Sequence, residues 1–469
     1  MNRITQIAQM AFMPDRVQFI FESLLESMDI GEIEACSDSF LHDLGTLLTV
    51  SPPMLDTLRL HPEYLGWLNG QVRRFGENPA AFSGPDKKSY YDEVWRDWER
   101  ESEAGRKRFE NLRALKRREY LFISFMDISG LFSFHETVAR LSVLADWVVQ
   151  TTLDICREEL AGEEAERSGL EMPDGGFAVI AMGKLGGREL NYSSDIDLIF
   201  CRRNPTETKE ADFFSKLGER MVRTLSKVGQ EGFLYRVDMR LRPHGSTGPL
   251  VPTIDSLMNY YESWGEPWER QALIKARFIA GCPEAGNRFQ NFVRSFTFSR
   301  QLEEAALEDV KRVKHRAEKE YAVDSGIHLK QGPGGIRDIE FYTQFSQLTI
   351  GWKYPEVRLE NTLDAIEALA RMKVLFQGEE SILSLAYIFL RIVEHRLQLQ
   401  ALTPQSILSD SSEEIELLAR GLGFGKFTGS PGKDFRKILA RYRSKVRSIL
   451  ERVYLARPAQ SRRFRYIYG

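Results

Sequence analysis

The stretch GKLGGRELNYSSDIDLIF, residues 183–200, decides how this chain is read. Gly183, Gly186 and Gly187 surround Lys184 and Leu185, Ser193 and Ser194 follow, and then Asp195 and Asp197 alternate with Ile196 and Leu198. A period of two is the pattern of a strand, so both carboxylates leave one face while Ile196 and Leu198 turn to a core on the other. Just upstream, FAVIA (residues 177–181) is a short apolar run rich in β-formers and reads as a buried strand. The local order is therefore strand, glycine turn, strand.

Working outward, a helix is expected over residues 211–227, followed by GFLYRVDMRLR at 232–242. There Leu234, Arg236, Asp238, Arg240 and Arg242 share one parity, and Phe233, Tyr235, Val237, Met239 and Leu241 the other. This alternation predicts a third, long strand with a charged face. PHGSTGPL (243–250) is turn chemistry, and His244 within it reads as a turn residue.

Both flanks read as helix. Apolar residues recur at three- and four-residue steps over 22–30 and 40–48, and Ser51-Pro52-Pro53 marks a helix start. Residues 90–126 form one long charged helical pattern, and 138–160 keep Leu141, Leu144, Ala145 and Val148 on one side. Helix resumes near Ile254 and is interrupted at Gly332-Pro333-Gly334-Gly335. It continues with Leu363, Ile366, Leu369 and Met372, then with Phe435, Leu439, Tyr442, Val446, Ile449 and Val453. The expected class is α+β, mostly helical, with a small mixed-sheet core flanked by helical regions. The division is 1–170 helical, 171–290 core, 291–469 helical bundle.

Composition narrows the function. The 469 residues are 42% hydrophobic, enough for a sizeable core, and 64 basic against 67 acidic residues leave a net charge of −3. That balance argues against a nucleic-acid binder. The four cysteines are scattered without metal-type spacing, as in a reduced cytoplasmic protein. No run of about 18 apolar residues suggests a membrane span, and the N-terminus has no secretory pattern.

The chemistry lies in the acids. Two adjacent carboxylates repel unless a cation sits between them. Magnesium fits, because it takes one or two carboxylates together with phosphate oxygens. Asp238 offers a third carboxylate if its strand neighbours that of Asp195 and Asp197. Three converging acids are what two-metal nucleotidyl transfer requires. The glycines let backbone N–H groups approach a phosphate, and Lys184 and Arg188 can neutralise it. Neither a P-loop nor a dinucleotide fingerprint is present. Ser193 and Ser194 either cap a helix or bind phosphate. Taken singly, each feature is equally an ordinary turn or a strand with solvated acids; the combination points to a site.

These residues also carry a family resemblance. GKLGGRELN followed by SSDIDLIF, then RVDMRLRP (236–243), Trp268-Glu269-Arg270 with Lys275-Ala276-Arg277, and GGIRDIEF (334–341) resemble the glutamine synthetase adenylyltransferase/adenylyl-removing enzymes. Their catalytic domains are polymerase-β-type nucleotidyltransferases. The resemblance implies that Asp195, Asp197 and Asp238 are catalytic and hold Mg2+. It also implies that Gly183, Lys184, Gly186, Gly187, Ser194, Arg240, Arg242 and Lys275 contact nucleotide or phosphate. The usual glycine–serine pair before the acids is absent, so either Gly186-Gly187 or Gly183-Lys184 takes its place. The implied partners are glutamine synthetase, ATP or ADP with phosphate, and a PII-type signalling protein.

Family members carry two such domains, one removing AMP and one adding it. This chain has one copy, either as a fragment of a longer enzyme or as a single-domain version. RVDMRLRP, and GGIRDIEF where the adding half has GGITDIEF, resemble the removing half, with a single-domain enzyme that adds AMP from ATP, or a non-catalytic regulatory domain of the family, as the alternatives. Gly334-Gly335 is expected to open a helix whose N-terminus binds an anion, with Asp338 and Glu340 near it. His315 is expected on an exposed basic helix and RRFRYIYG (462–469) as a linker or docking tail.

Overall fold

In the computed structural model, the described residues are 2–11, 13–26, 28, 30–83, 87–101, 108–168, 175–203, 208–299, 308, 311, 312, 314, 316, 326–425 and 429–455. His315 and residues 462–469 lie outside them. The glycine-turn region folds as read: β1 (Phe177–Ala181) leads through a short helical turn, Gly183–Gly186, to β2 (Ile196–Arg202). Two more strands complete the sheet, β3 (Val237–Asp238) and β4 (Arg277–Gly281), in the order β3-β2-β1-β4. β1 is antiparallel to β2 and β4, whereas β2 and β3 run parallel, so the sheet is mixed.

Both faces of this sheet are covered, which is why FAVIA is continuously apolar. Phe177, Val179 and Ala181 with Ile196, Leu198 and Phe200 join the core of the N-terminal helices. Ala178, Ile180, Ile199 and Cys201 face a second core with Tyr261 and Phe289. Asp197 shares the parity of Ile199 and Cys201, one step before that apolar layer begins.

The third strand departs from expectation. The alternation over 232–242 predicts a long strand, but β3 has two residues. Leu234 and Tyr235 are adjacent and both buried, so the parity breaks before the sheet. Beyond it, the Asp238 carboxylate accepts the Arg240 backbone N–H at 2.8 Å, which turns the chain away from β2. Of the helical pattern expected over 90–126, helices Lys87–Glu101 and Arg108–Ile128 are described, and residues 102–107 lie outside the described residues.

Helix Phe134–Ser168 joins the two halves of the molecule. Its Phe134 and Val138 enter a third core built by helices Ile336–Ile350, Thr362–Arg371, Glu379–Leu399 and Pro431–Leu455. A two-stranded ribbon, β5 (Ile327–His328) with β6 (Ile407–Leu408), sits beside it. All four cysteines are free thiols. Among the described residues no helix is long and apolar enough to cross a membrane.

Candidate active site

Register brings the acids together. Asp197 on β2 pairs directly with Asp238 on β3, and neighbouring strands lie about 4.8 Å apart. Gly183 makes room for them. It has φ +54°, and a Cβ there would run into the Asp197 carboxylate. Gly186 serves the turn differently: a Cβ would collide with the Lys275 backbone carbonyl. Arg277 then clamps the turn, donating to the carbonyls of Leu185 at 2.8 Å and Gly186 at 3.1 Å while paired with Asp146.

The acids form the floor of a cavity of about 660 Å³. Gly183, Lys184, Ser194, Asp195, Asp197, Asp238, Arg240 and Lys275 all line it. Gly186, Gly187 and Arg242 do not. Gly187 packs toward the Glu360 carbonyl, and Arg242 donates to the carbonyl of Met239 at 2.8 Å within its own turn. Lys275 reaches the cavity wall, but its ammonium is buried against Glu189 and lies 3.1 Å from Thr362 Oγ1. Ser194 hydrogen-bonds Asn191 Oδ1 and receives Lys184 Nζ at 3.5 Å.

Another wall comes from distant sequence. Lys314, Lys330, Arg337, Glu340, Glu394 and Gln398 line it. Arg337 and Glu340 came into view only within GGIRDIEF, and for Lys314, Lys330, Glu394 and Gln398 local sequence carried no pattern linking them to the acids, because helix Glu379–Leu399 meets the turn only on folding. There Gln398 Oε1 accepts the Ser193 N–H at 3.0 Å, and Glu394 accepts from Asn191 Nδ2 at 2.9 Å. Arg236, one turn of alternation before Asp238, was also overlooked. It binds Asp195 Oδ1 at 2.6 Å and Ser193 Oγ at 3.1 Å.

The anion site expected at Gly334-Gly335 is closed. The N–H groups of residues 334–338 are all taken, by Asp338 Oδ2 and by the carbonyls of Gly332, Leu329, Lys330 and Gly335. What this helix start gives the cavity is the side chains of Arg337 and Glu340.

Charge is unevenly placed. Burial, with Asp238 alongside, pushes the Asp197 carboxyl up to about 6. Hydrogen bonds from Arg240 hold Asp238 below the usual carboxylate range. Burial lowers the Lys184 ammonium to about 8. Burial alone would raise Glu340, but Lys275, Arg337, Lys184 and Lys330 outweigh it and hold the carboxyl at about 2.

The three-acid set does not converge in this state. Asp195 is turned to Arg236 and Asp238 to Arg240. Among the described residues no group of three acid, histidine or cysteine side chains is placed to hold a metal ion. The Asp197–Asp238 pair by itself fits magnesium, which needs only one or two carboxylates beside phosphate oxygens.

Known proteins resemble this chain in two parts. Residues 41–292 match the family described as glutamate-ammonia ligase adenylyltransferase, and residues 300–454 match the description GlnD PII-uridylyltransferase. The chain belongs to the glutamate-ammonia ligase adenylyltransferase family. The cavity straddles the two matched parts, with its aspartates in the first and Lys330 and Arg337 in the second. Similar family members include bifunctional glutamine synthetase adenylyltransferase/adenylyl-removing enzymes. That of Thioalkalivibrio sulfidiphilus is 38% identical over 74% of this chain and 36% of its own length. That of Methylococcus capsulatus is 36% identical over 75% and 37%, and that of Rhodopseudomonas palustris 39% identical over 67% and 33%. The chain thus spans about a third of the length of these family members.

Proposed function

We propose that this chain is a nucleotidyltransferase that removes AMP from a tyrosine of glutamine synthetase by phosphorolysis, releasing ADP. The reading rests chiefly on one arrangement: the paired Asp197 and Asp238 line one cavity together with Lys184, Lys330 and Arg337, whose charges all act on Asp197. Arg337 is the residue that separates GGIRDIEF from the AMP-adding pattern GGITDIEF, and its place on the cavity wall favours orthophosphate as the attacking group.

Lys330 and Arg337 would hold the hydrogenphosphate, with Arg337 suited to bidentate contact. Its oxygen attacks the AMP phosphorus, the bond to the tyrosyl oxygen breaks, and the hydrogenphosphate proton ends on that oxygen. The products are ADP and a free tyrosine hydroxyl. Lys184, whose ammonium burial lowers to about 8, stands beside Ser194 where the AMP phosphate would lie. Asp197 and Asp238 would hold Mg2+, which neutralises charge on the phosphates. Glutamine synthetase, ADP or ATP, phosphate and a PII-type protein would be the partners, in the cytoplasm.

The test is to incubate the chain with adenylylated glutamine synthetase, phosphate and magnesium and to measure ADP. Phosphate-dependent ADP release is expected. Robust labelling of unmodified synthetase from ATP, without that release, would instead support addition of AMP.

A further inference from the structure

A second cavity, of about 230 Å³, lies behind the Ser193-Ser194 turn, away from the acids. Its walls carry four cations, Arg113, Lys116, Arg117 and Arg236, against two acids, Asp56 and Glu231. Both acids are already engaged. Glu231 binds His61 at 3.1 Å and Arg117 at 3.3 Å, and Asp56 lies 3.7 Å from Arg59.

Lys116 is the anomaly. Among the described residues no carboxylate lies within ion-pair distance of its ammonium. Its neighbours are the Phe233 carbonyl at 3.4 Å and the ring centroids of Tyr120 at 4.4 Å, Tyr235 at 4.8 Å and Phe233 at 5.4 Å. Arg236 stands over the same Phe233 ring at 5.3 Å. Two cations thus flank one aromatic ring in a small cavity. Arg113 is paired with Glu110 at 2.8 Å, but its buried Nε has no hydrogen-bond partner among the described residues. Aromatic faces soften the cost of a buried ammonium but do not neutralise it.

We propose that this cavity binds a small anion through a carboxylate or phosphate group seated between Lys116 and Arg236. The volume suits a small molecule, not a peptide segment. Burial, with Arg236 and Arg117 nearby, lowers the free Lys116 ammonium to about 7, and an anion would restore its charge. The site would also speak to the catalytic cavity. Ser193 and Ser194 line both, and an anion drawing on Arg236 competes with Asp195 for the same guanidinium.

The test is a pulse of acetic anhydride on the whole chain, read by peptide mass spectrometry at Lys116, with and without succinate or sulfate. Protection of Lys116 by several-fold in one anion is expected, and the effective anion tells carboxylate from tetrahedral oxyanion. Calorimetric titration of the same anion into the Lys116→Met and Arg420→Met variants follows, Arg420 being an exposed helix residue that lines neither cavity. A loss of about tenfold in affinity is expected in the first variant and none in the second. Should Lys116→Met fail to fold, Arg117→Gln is expected to show a smaller loss. The proposal is overturned if neither anion protects Lys116, or if a folded Lys116→Met chain binds as tightly as the native one.

Discussion

Replacing Glu189 by Gln tests how the glycine turn is anchored. The Glu189 side chain is 2% exposed and that of Lys275 6%, so solvent does not screen their ion pair. Gln keeps the shape and an acceptor for the Thr362 N–H that Glu189 now receives. The cost is therefore the ammonium left without its counter-charge. Breaking a buried pair in this way costs about 3–5 kcal/mol. Thr362 Oγ1 at 3.1 Å remains as a partner, and Glu340 still feels the Lys275 charge, so the lower end of that range, about 3 kcal/mol, is expected. Urea unfolding of the single variants and of Glu189→Gln with Lys275→Met supplies the assay. The double variant should recover most of the loss, because it removes the orphaned charge as well. A Glu189→Gln loss below about 1 kcal/mol, the range of an exposed pair, or a double variant no more stable than the single, would refute the anchoring argument.

Three other outcomes are expected. Asp197→Asn removes a buried carboxylate beside Asp238, so it should raise the melting temperature while cutting phosphorolysis by roughly 10²–10³-fold; a drop in both would place Asp197 in the scaffold instead. Gly183→Ala must hold φ +54° and push on the Asp197 carboxylate, so a loss of about 1–2 kcal/mol in urea unfolding is expected together with loss of ADP release. Lys116 has a folded value near 7 against 10.5 for a free lysine, so between those values the unfolded chain holds a proton that the folded chain has released. By linkage, the native chain should gain stability relative to Lys116→Met as pH rises from about 7 to 10; parallel stability curves for the two proteins would contradict this.

Local pattern was enough for the sheet's first two strands, the glycine turn and most helices, because each is decided by periodicity over a few residues. It also located Asp197 and Asp238. It failed over 232–242, where the alternation was real but the Asp238 carboxylate caps its own chain and ends the strand. It failed at Gly334-Gly335 for the same class of reason, since side chain and backbone acceptors inside the fold use up the N–H groups that make a helix start attractive to anions.

Lys275 and Arg242 show the other limit. Their residue type suited phosphate, yet one ammonium is spent on Glu189, 86 positions away, and the other guanidinium on carbonyls of its own turn. Conversely, Arg337 came into view as one letter of a motif, and only folding set it on the wall of the same cavity as Asp197.

By itself the sequence determined the strand–turn–strand unit, its carboxylates and the helical flanks, since those depend on neighbours along the chain. Tertiary structure alone decided that Asp197 and Asp238 stand in register, and that Asp195 is held off by Arg236. It also decided that the cationic wall comes from the helical half. Each of these is a contact between segments far apart in sequence, and a charge finds its partner only where packing has brought one within a few ångströms.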